Sequence, residues 1–160
     1  MLKIQTYKKQ KMENSNNYTI EKLNNLISIA EDGNEGYQNA AKDIENETIK
    51  KSFNVFSEER AEYATQLRKH VYQLTGETET STGSSTGVLH RIWMDLKSVF
   101  TGGDTNAIIN ACITGEEAAV TAYSDVLADP KISDDFKKTI TFQLHGIKQA
   151  LSNLKSYITD

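Results

Sequence analysis

The chain has 160 residues, of which 38% are hydrophobic and 25% are charged, and its formal net charge is −4 at pH 7. This length and composition suit one globular domain with a buried core. The acidic balance argues against a nucleic-acid-binding protein, because neutralising phosphates needs a basic surface, and no apolar run is long enough to span a bilayer.

Cysteine usage and the first residues bear on the cellular compartment. Cys112 is the only cysteine, which rules out a disulfide within the chain and favours a reducing environment. The N-terminal residues are rich in lysine but lack an apolar segment, so we expect no signal peptide and a cytoplasmic protein. We predict a disordered or loosely ordered tail at residues 1–18 and a single domain at residues 19–158.

The first two helices are predicted from apolar residues spaced by threes and fours. One helix runs from Thr19, a candidate N-cap, to about residue 46, with Gly33 and Gly36 weakening its middle. The second runs from about residue 48 to 74 and carries Arg60 on its apolar seam.

The region that follows contains a linker and a short amphipathic helix. Residues 75–87 are a Gly/Ser/Thr-rich linker without periodicity, and residues 88–100 place Trp93 among apolar neighbours. This short helix either covers the apolar groove of the bundle or offers Trp93, Met94 and Phe100 as a surface for self-association or a partner helix.

Two further helices complete the chain. The third spans about 105–128, and its inward alanine and glycine residues would permit close helix approach. The fourth begins after Ser133 and carries Gln143 on its apolar seam. Short connections make helices one and two, and three and four, antiparallel hairpins. Because residues 75–104 can run the length of a bundle, we predict an all-α, ferritin-like four-helix bundle whose long crossover carries the short extra helix.

A specific string within and after the crossover carries a family resemblance. The residues His90-Arg-Ile-Trp-Met-Asp-Leu-Lys-Ser-Val-Phe-Thr-Gly-Gly-Asp104, then Cys112 and Gly115-Glu-Glu-Ala-Ala119, resemble a bacterial family of ferritin-like four-helix-bundle proteins of unknown function. The stretch Asp32-Gly-Asn-Glu-Gly-Tyr37 resembles it too. The resemblance implies the bundle fold over about residues 19–158, and its link to ferritins raises the question of iron bound by carboxylates.

The sequence lacks the usual ligands of a di-iron site. Ferritin-like di-iron proteins take a Glu from each of two helices and a Glu-x-x-His from each of the other two. No Glu-x-x-His occurs here, the fourth helix has no Glu, and helical counting turns His145 toward water. Relatives in the resembling family carry an acid where this chain has Gly146 and a His where it has Leu151.

Two interpretations remain for the acidic residues near the apolar seams. Glu59, Glu62 and Glu116 could form a degenerate iron site, within one chain or between subunits. Alternatively, Arg60 pairs with Glu116 or Glu59, because an unpaired charge on that seam would be costly. In the second interpretation Arg60 and Glu116 belong to a buried polar layer that also contains Asn34 and Gln143. This layer would lie at the level of the bundle where a ferritin holds metal. Such a layer typically fixes the register of the helices relative to one another.

No catalytic residue is predicted. Cys112 reads as a packed core thiol, and His70, His90 and His145 lie on different elements without ligand spacing. We therefore expect a non-enzymatic bundle whose biochemical role the sequence does not specify, such as a stress-associated or interaction protein, with an iron-handling protein as the alternative. We expect no cofactor unless iron binds, no nucleic-acid or membrane partner, and a homo-oligomer such as a dimer as the partnership to test.

Overall fold

The computed structural model describes residues 1–77, 90–91, 93–95 and 104–158. Four long helices make up most of this part, and we number them α1 (Leu2–Asp43), α2 (Glu47–Thr75), α3 (Thr105–Ala128) and α4 (Asp134–Tyr157). Residues 90–91 and 93–95 are also helical, and the described residues contain no strand. The predicted all-α class is therefore confirmed.

Local sequence sets several of the helix ends. The Asn46 side chain begins α2 by accepting hydrogen bonds from the backbone N–H groups of Thr48 and Ile49, at 3.0 and 3.1 Å. Gly76 ends α2 with φ at 69°, a left-handed conformation that costs glycine little because it has no Cβ. Asp104 caps α3 as its position in the sequence indicates.

The start of the first helix differs from the prediction. Helix α1 begins at Leu2, and Thr19 lies inside it, where its hydroxyl donates to the Ser15 carbonyl oxygen at 3.1 Å. The N-cap role predicted for Thr19 is therefore wrong. Residues 2–18 contain no glycine or proline, so nothing local stops the helix from continuing toward the N-terminus, although residues 1–15 are exposed.

Every pair of neighbouring helices runs antiparallel. In each pair, a later residue of one helix contacts an earlier residue of the other. For α1 and α2 the contacts are Tyr37–Phe53 and Glu31–Arg68, and for α3 and α4 they are Glu117–Lys155 and Tyr123–Gln143. For α1 and α3 with its C-cap they are Tyr37–Glu116 and Tyr18–Asp129, and for α2 and α4 they are Ser52–Tyr157 and His70–Thr139. Because α2 and α3 both oppose α1, they are parallel to each other. The end of α2 and the start of α3 therefore lie at opposite ends of the bundle.

The core consists of two clusters of buried apolar side chains, one toward each end of the bundle. Leu26, Leu67, Tyr123 and Ile140 belong to one, and Phe53, Ile108, Cys112 and Leu154 belong to the other. Two buried charged residues, Arg60 and Glu116, lie between these clusters along α2 and α3. Among the described residues, none of the helices combines the length and apolar character needed to cross a membrane.

Candidate functional site

Arg60 of α2 and Glu116 of α3 form an ion pair inside the bundle. The Arg60 Nη2 atom lies 2.7 Å from Glu116 Oε1, and only 3% and 2% of the two side chains are exposed. A hydrogen bond between two charged groups at this distance is stronger than one between neutral groups. Since both charges are removed from water, each depends on the other for its stabilisation.

Tyr37 of α1 joins the same carboxylate. Its hydroxyl donates to Glu116 Oε1 at 2.5 Å. Burial raises the pKa of Tyr37, and the nearby Glu116 charge raises it further, so the phenol remains a protonated donor. Three helices therefore meet at one carboxylate oxygen, which receives a hydrogen bond from a phenol and one from a guanidinium.

The Arg60 guanidinium keeps its positive charge in this setting. Burial is the largest single influence and would lower the pKa of Arg60, but the Glu116 charge, its hydrogen bond to Arg60 and the neighbouring Tyr37 and Tyr63 together outweigh burial, and the pKa is raised. The guanidinium carbon also lies 5.3 Å from the centre of the Tyr63 ring and 5.9 Å from that of Tyr37, distances typical of cation–π contacts. A permanent cation thus occupies the centre of the bundle.

Two polar atoms of the ion pair have no hydrogen-bond partner among the described residues. They are Arg60 Nη1, whose neighbour Glu59 Oε2 stands 3.7 Å away, and Glu116 Oε2. Both residues line a cavity of about 10 Å³, together with Gly33 and Trp93. That volume is close to the minimum that holds one water molecule.

Trp93 fills the gap between α1 and α3 beside this cavity. A Cβ atom at Gly36 would overlap the indole ring, and one at Gly115 would lie 2.6 Å from it. The ring also meets Tyr37 edge-on, with centroids 5.9 Å apart. The inward glycine of α3 therefore makes room for a side chain from the crossover, a purpose different from the close helix approach expected from the sequence.

This placement corrects part of the predicted interaction surface. Trp93 is only 6% exposed, because its ring is inserted between two helices, so it contributes little to a surface. Met94 is 48% exposed and remains available for contacts. Phe100, the third residue of that hypothesis, lies outside the described residues.

The predicted buried polar layer divides into separate groups. Gln143 is fully buried, but its amide serves another network: its oxygen accepts from the Tyr123 hydroxyl at 2.9 Å and its nitrogen donates to the Tyr63 carbonyl at 3.2 Å. Asn34 is half-buried and accepts a 2.6 Å hydrogen bond from Ser57. The central ion pair therefore stands apart from both amides.

The three glutamates considered as metal ligands do not come together. Glu116 is buried, Glu62 is exposed, and the Glu59 side chain is 42% exposed. The Arg60 guanidinium approaches both Glu59 and Glu116 and holds the position that a shared cation would need. Within the described ranges, no group of three or more His, Cys, Asp or Glu side chains is placed to hold a metal ion.

Helix α4 offers no imidazole or acid to this centre. His145 is exposed, as predicted, and Leu151 is half-buried. A Cβ atom at Gly146 would overlap the Tyr63 hydroxyl, so the Tyr63 ring fills the space at the position where the resembling family carries an acid. Glycine at this position is thus explained by packing.

The cysteine and two of the histidines, which were considered as candidate catalytic or metal-binding residues, pack against or contact neighbouring side chains. Cys112 is buried, and burial raises the pKa of its thiol, which keeps the nucleophilic thiolate form scarce. His70 contacts the Thr139 hydroxyl at 2.7 Å, and His90 lies 3.1 Å from Asp32.

Sequence reasoning did not identify Tyr37 or Trp93 as members of the central site. Tyr37 lies on the apolar stripe of α1, where periodicity cannot distinguish a packed ring from one that donates a hydrogen bond. For Trp93, the available signal was the presence of Gly36 and Gly115 on inward faces, which implies a bulky group between them.

Comparison with known proteins gives a family but no activity. A family model described as a domain of unknown function (DUF2383) matches residues 18–129. The match includes the central ion pair, Tyr37 and Trp93, and stops before α4. No curated protein matches the chain.

Proposed function

Since the chain belongs to the family described as domain of unknown function DUF2383, we propose that it is a ferritin-like bundle with a non-enzymatic, binding role. In this proposal the buried arginine–glutamate pair takes the place of the metal that ferritin-like proteins hold among their helices.

The direction of the helices supports the ferritin-like topology. Parallel α2 and α3 require a connection that runs along the bundle, and two antiparallel hairpins joined in this way are the ferritin arrangement. A bundle whose three connections were all short turns would instead place α2 and α3 antiparallel. The helical residues 90–91 and 93–95 lie in the connecting segment.

The buried positive charge of Arg60 carries the proposal. A divalent cation placed against Glu116 would meet a fixed guanidinium within 2.7 Å of the same carboxylate oxygen. Repulsion between like charges is strong where water is excluded. Displacing the guanidinium would in turn leave a buried charge without its partner, which is costly. The centre is therefore suited to holding three helices together and unsuited to binding iron.

A binding role is supported by what the described surface offers. Residues 2–15 are the exposed N-terminal part of α1. The large apolar side chains of this part, Leu2, Ile4, Tyr7 and Met12, are all exposed. Met94 is exposed next to the buried Trp93. These exposed apolar side chains are the surface through which the proposed binding role would operate.

Metal analysis of the purified protein, followed by an anaerobic iron(II) titration, tests the proposal. We expect no saturable binding by the wild type. The variant Arg60→Met removes the charge while keeping an unbranched side chain, and it shows whether the guanidinium is what excludes the metal. Stoichiometric iron binding by the wild type that Glu116→Ala abolishes would overturn the proposal.

The alternative function is carboxylate-based iron handling. The observation that favours it is Glu116 Oε2, a buried carboxylate oxygen without a hydrogen-bond partner among the described residues. The half-exposed Glu59 approaches the same Arg60 guanidinium that Glu116 binds. A site between subunits would need further ligands from a second copy. If iron induces a dimer, and Glu59→Ala or Glu62→Ala prevents it, the alternative is favoured over the binding role.

A further inference from the structure

The N-terminal arm, which is residues 2–15 of α1, extends beyond the rest of the bundle. The Tyr18 hydroxyl donates to Asp129, the residue at which α3 ends, and every residue from 1 to 15 is exposed. At a rise of about 1.5 Å per residue the arm is roughly 20 Å long. In the single chain the arm therefore lies in solvent.

One side of the arm combines apolar and basic side chains. Tyr7, Lys8 and Lys11 follow Ile4 by three, four and seven residues, so the four lie on one face of the helix. The arm contains four lysines and one glutamate, a net charge of +3, although the whole chain has a net charge of −4. The rest of the chain therefore carries a net charge of −7.

The Phe142 face consists of Val55, Glu59 and Glu62 of α2 and Phe142 of α4. Successive spacings of four and three residues put the α2 residues on one side of their helix. Val55 is 50% exposed and Phe142 is 64% exposed, and the Phe142 ring meets the Tyr63 ring edge-on. Glu62 is exposed and the Glu59 side chain is 42% exposed. This face therefore presents two apolar side chains and two carboxylates to solvent.

Contacts along the same side of α2 place its part of the Phe142 face beside α4. At one end, Ser52 shares a hydrogen bond of 2.7 Å with Tyr157. At the other end, the Gln66 side-chain oxygen accepts a hydrogen bond of 3.0 Å from Gln143, the residue next to Phe142. The apolar and acidic side chains of this face therefore form one surface across two helices.

We propose that the Phe142 face binds the N-terminal arm of a second copy of this chain. This assignment names the partner in the binding role proposed above and rests on that role. Opposite charges favour the contact, since the arm carries +3 and the rest of the chain −7. Two arms repel each other for the same reason, so an arm binds the bundle of the other copy and not its arm.

A lipid surface suits the arm less well. At about 100° per residue, helical counting places Leu2 and Met12 on sides of the helix other than the one that carries Ile4 and Tyr7. A helix that lies in a membrane interface instead gathers its apolar side chains on one face. The distribution of apolar residues therefore argues against lipid as the partner of the arm.

A two-fold axis perpendicular to the bundle gives the contact a defined register. Such an axis reverses α1 of the second copy, and α2 is antiparallel to α1, so the arm of one copy runs parallel to α2 of the other. In this direction one apolar and two basic residues of the arm have the same spacing as one apolar and two acidic residues of α2. The matched pairs are Ile4–Val55, Lys8–Glu59 and Lys11–Glu62.

Sedimentation equilibrium of the full-length wild type in EDTA tests the association. We expect the average mass to rise from that of one chain to that of two with concentration, and the dissociation constant to increase with salt because exposed charges are screened. Since the contact joins two molecules, dilution separates them and exposes the arm. A wild type that stays monomeric up to its solubility limit would overturn the proposal. EDTA removes iron, so this failure differs from that of the proposed function, which saturable iron binding would show.

A charge exchange tests the register. Lys11→Glu and Glu62→Lys should each weaken the dimer about tenfold, because like charges then face each other and the two-fold axis forms each contact twice. The double variant Lys11→Glu/Glu62→Lys should return the dissociation constant to within about threefold of the wild-type value. Both side chains are exposed, so all three variants should remain folded by circular dichroism.

The matched control, Lys3→Glu/Glu62→Lys, makes the same exchange with a lysine on another side of the arm. Its dimer should be as weak as that of Glu62→Lys alone. Equal recovery in both double variants, or no recovery in Lys11→Glu/Glu62→Lys, would overturn the proposed contact.

Flotation with vesicles of anionic lipid tests the other occupant of the arm. We expect the wild type to remain in the soluble fraction. If the wild type is monomeric and floats with the vesicles, and Lys11→Glu weakens this binding, the arm binds lipid and the proposed dimer is wrong.

Discussion

Replacing either Arg60 or Glu116 alone should lower the free energy of unfolding far more than replacing both residues together by apolar ones. In Arg60→Met the Glu116 carboxylate keeps only the Tyr37 hydroxyl as a partner, and in Glu116→Leu the buried guanidinium loses its hydrogen bond. Removing one member of a buried ion pair typically costs about 3–5 kcal/mol. Because domains of this kind have a total free energy of unfolding of roughly 5–15 kcal/mol, each single variant should be strongly destabilised.

The double variant Arg60→Met/Glu116→Leu should be more stable than either single variant. Two atoms of the wild-type pair, Arg60 Nη1 and Glu116 Oε2, already lack hydrogen bonds, and each such atom costs about 1–3 kcal/mol. Apolar replacement removes that cost together with the charges. We therefore expect the double variant to lie within about 2 kcal/mol of the wild type.

Urea unfolding followed by circular dichroism measures all three variants. Glu117→Gln is the matched control, because Glu117 is adjacent to Glu116 but its side chain is 55% exposed and its contact with Lys155 is 3.7 Å long. Its free energy of unfolding should change by less than about 0.5 kcal/mol. If the free energy of unfolding of both single variants falls by less than about 1 kcal/mol, water reaches the pair and the two charges do not depend on each other.

Three further predictions concern tyrosine ionisation, helix packing and the N-terminal extension. Burial raises the pKa of Tyr37 and Tyr123, so the folded state holds these two protons more tightly than the unfolded state does. The free energy of unfolding should therefore fall as the pH rises above about 10, the usual pKa of a phenol. Ionisation of all seven tyrosines near pH 10 without unfolding, measured by phenolate absorbance, would contradict this prediction. Gly146→Ala should destabilise the protein by about 1–3 kcal/mol in urea unfolding because the added methyl group overlaps the Tyr63 hydroxyl. In a protein that also carries Tyr63→Phe, the same substitution should cost much less. An equal cost with and without Tyr63→Phe would show that the strain does not come from the hydroxyl. Deleting residues 2–15 should change the free energy of unfolding by less than about 0.5 kcal/mol, since these residues are exposed; a loss above about 1 kcal/mol would show that they pack against the bundle.

The features that sequence reasoning predicted correctly are those that depend on local patterns. Helix α3 spans Thr105–Ala128, as its periodicity and the Asp104 cap indicate, because both are read from adjacent residues. The start of α1 was misplaced because Thr19 has the chemistry of a cap, whereas its hydroxyl bonds to the preceding turn of a continuous helix.

The candidate site was predictable where helical counting applied and unpredictable where distant segments meet. Arg60 lies on an apolar seam, so a buried partner was expected, and Glu116 on the inward face of the third helix was one of two candidates. Counting cannot show that Gln143 pairs with Tyr123 of another helix, since that depends on rotation and axial shift between helices. The insertion of Trp93 between Gly36 and Gly115 likewise joins three segments that are remote in sequence.

Anomalous scattering at the iron absorption edge, from crystals grown anaerobically with excess iron(II), shows whether Arg60 or a metal occupies the position beside Glu116. We expect an intact hydrogen bond between Arg60 and Glu116 and no anomalous peak beside the Glu116 carboxylate. A peak at coordination distance from that carboxylate, about 2.0–2.2 Å as for common divalent metals, with Arg60 turned away from it, would contradict the claim that a guanidinium stands in place of a metal.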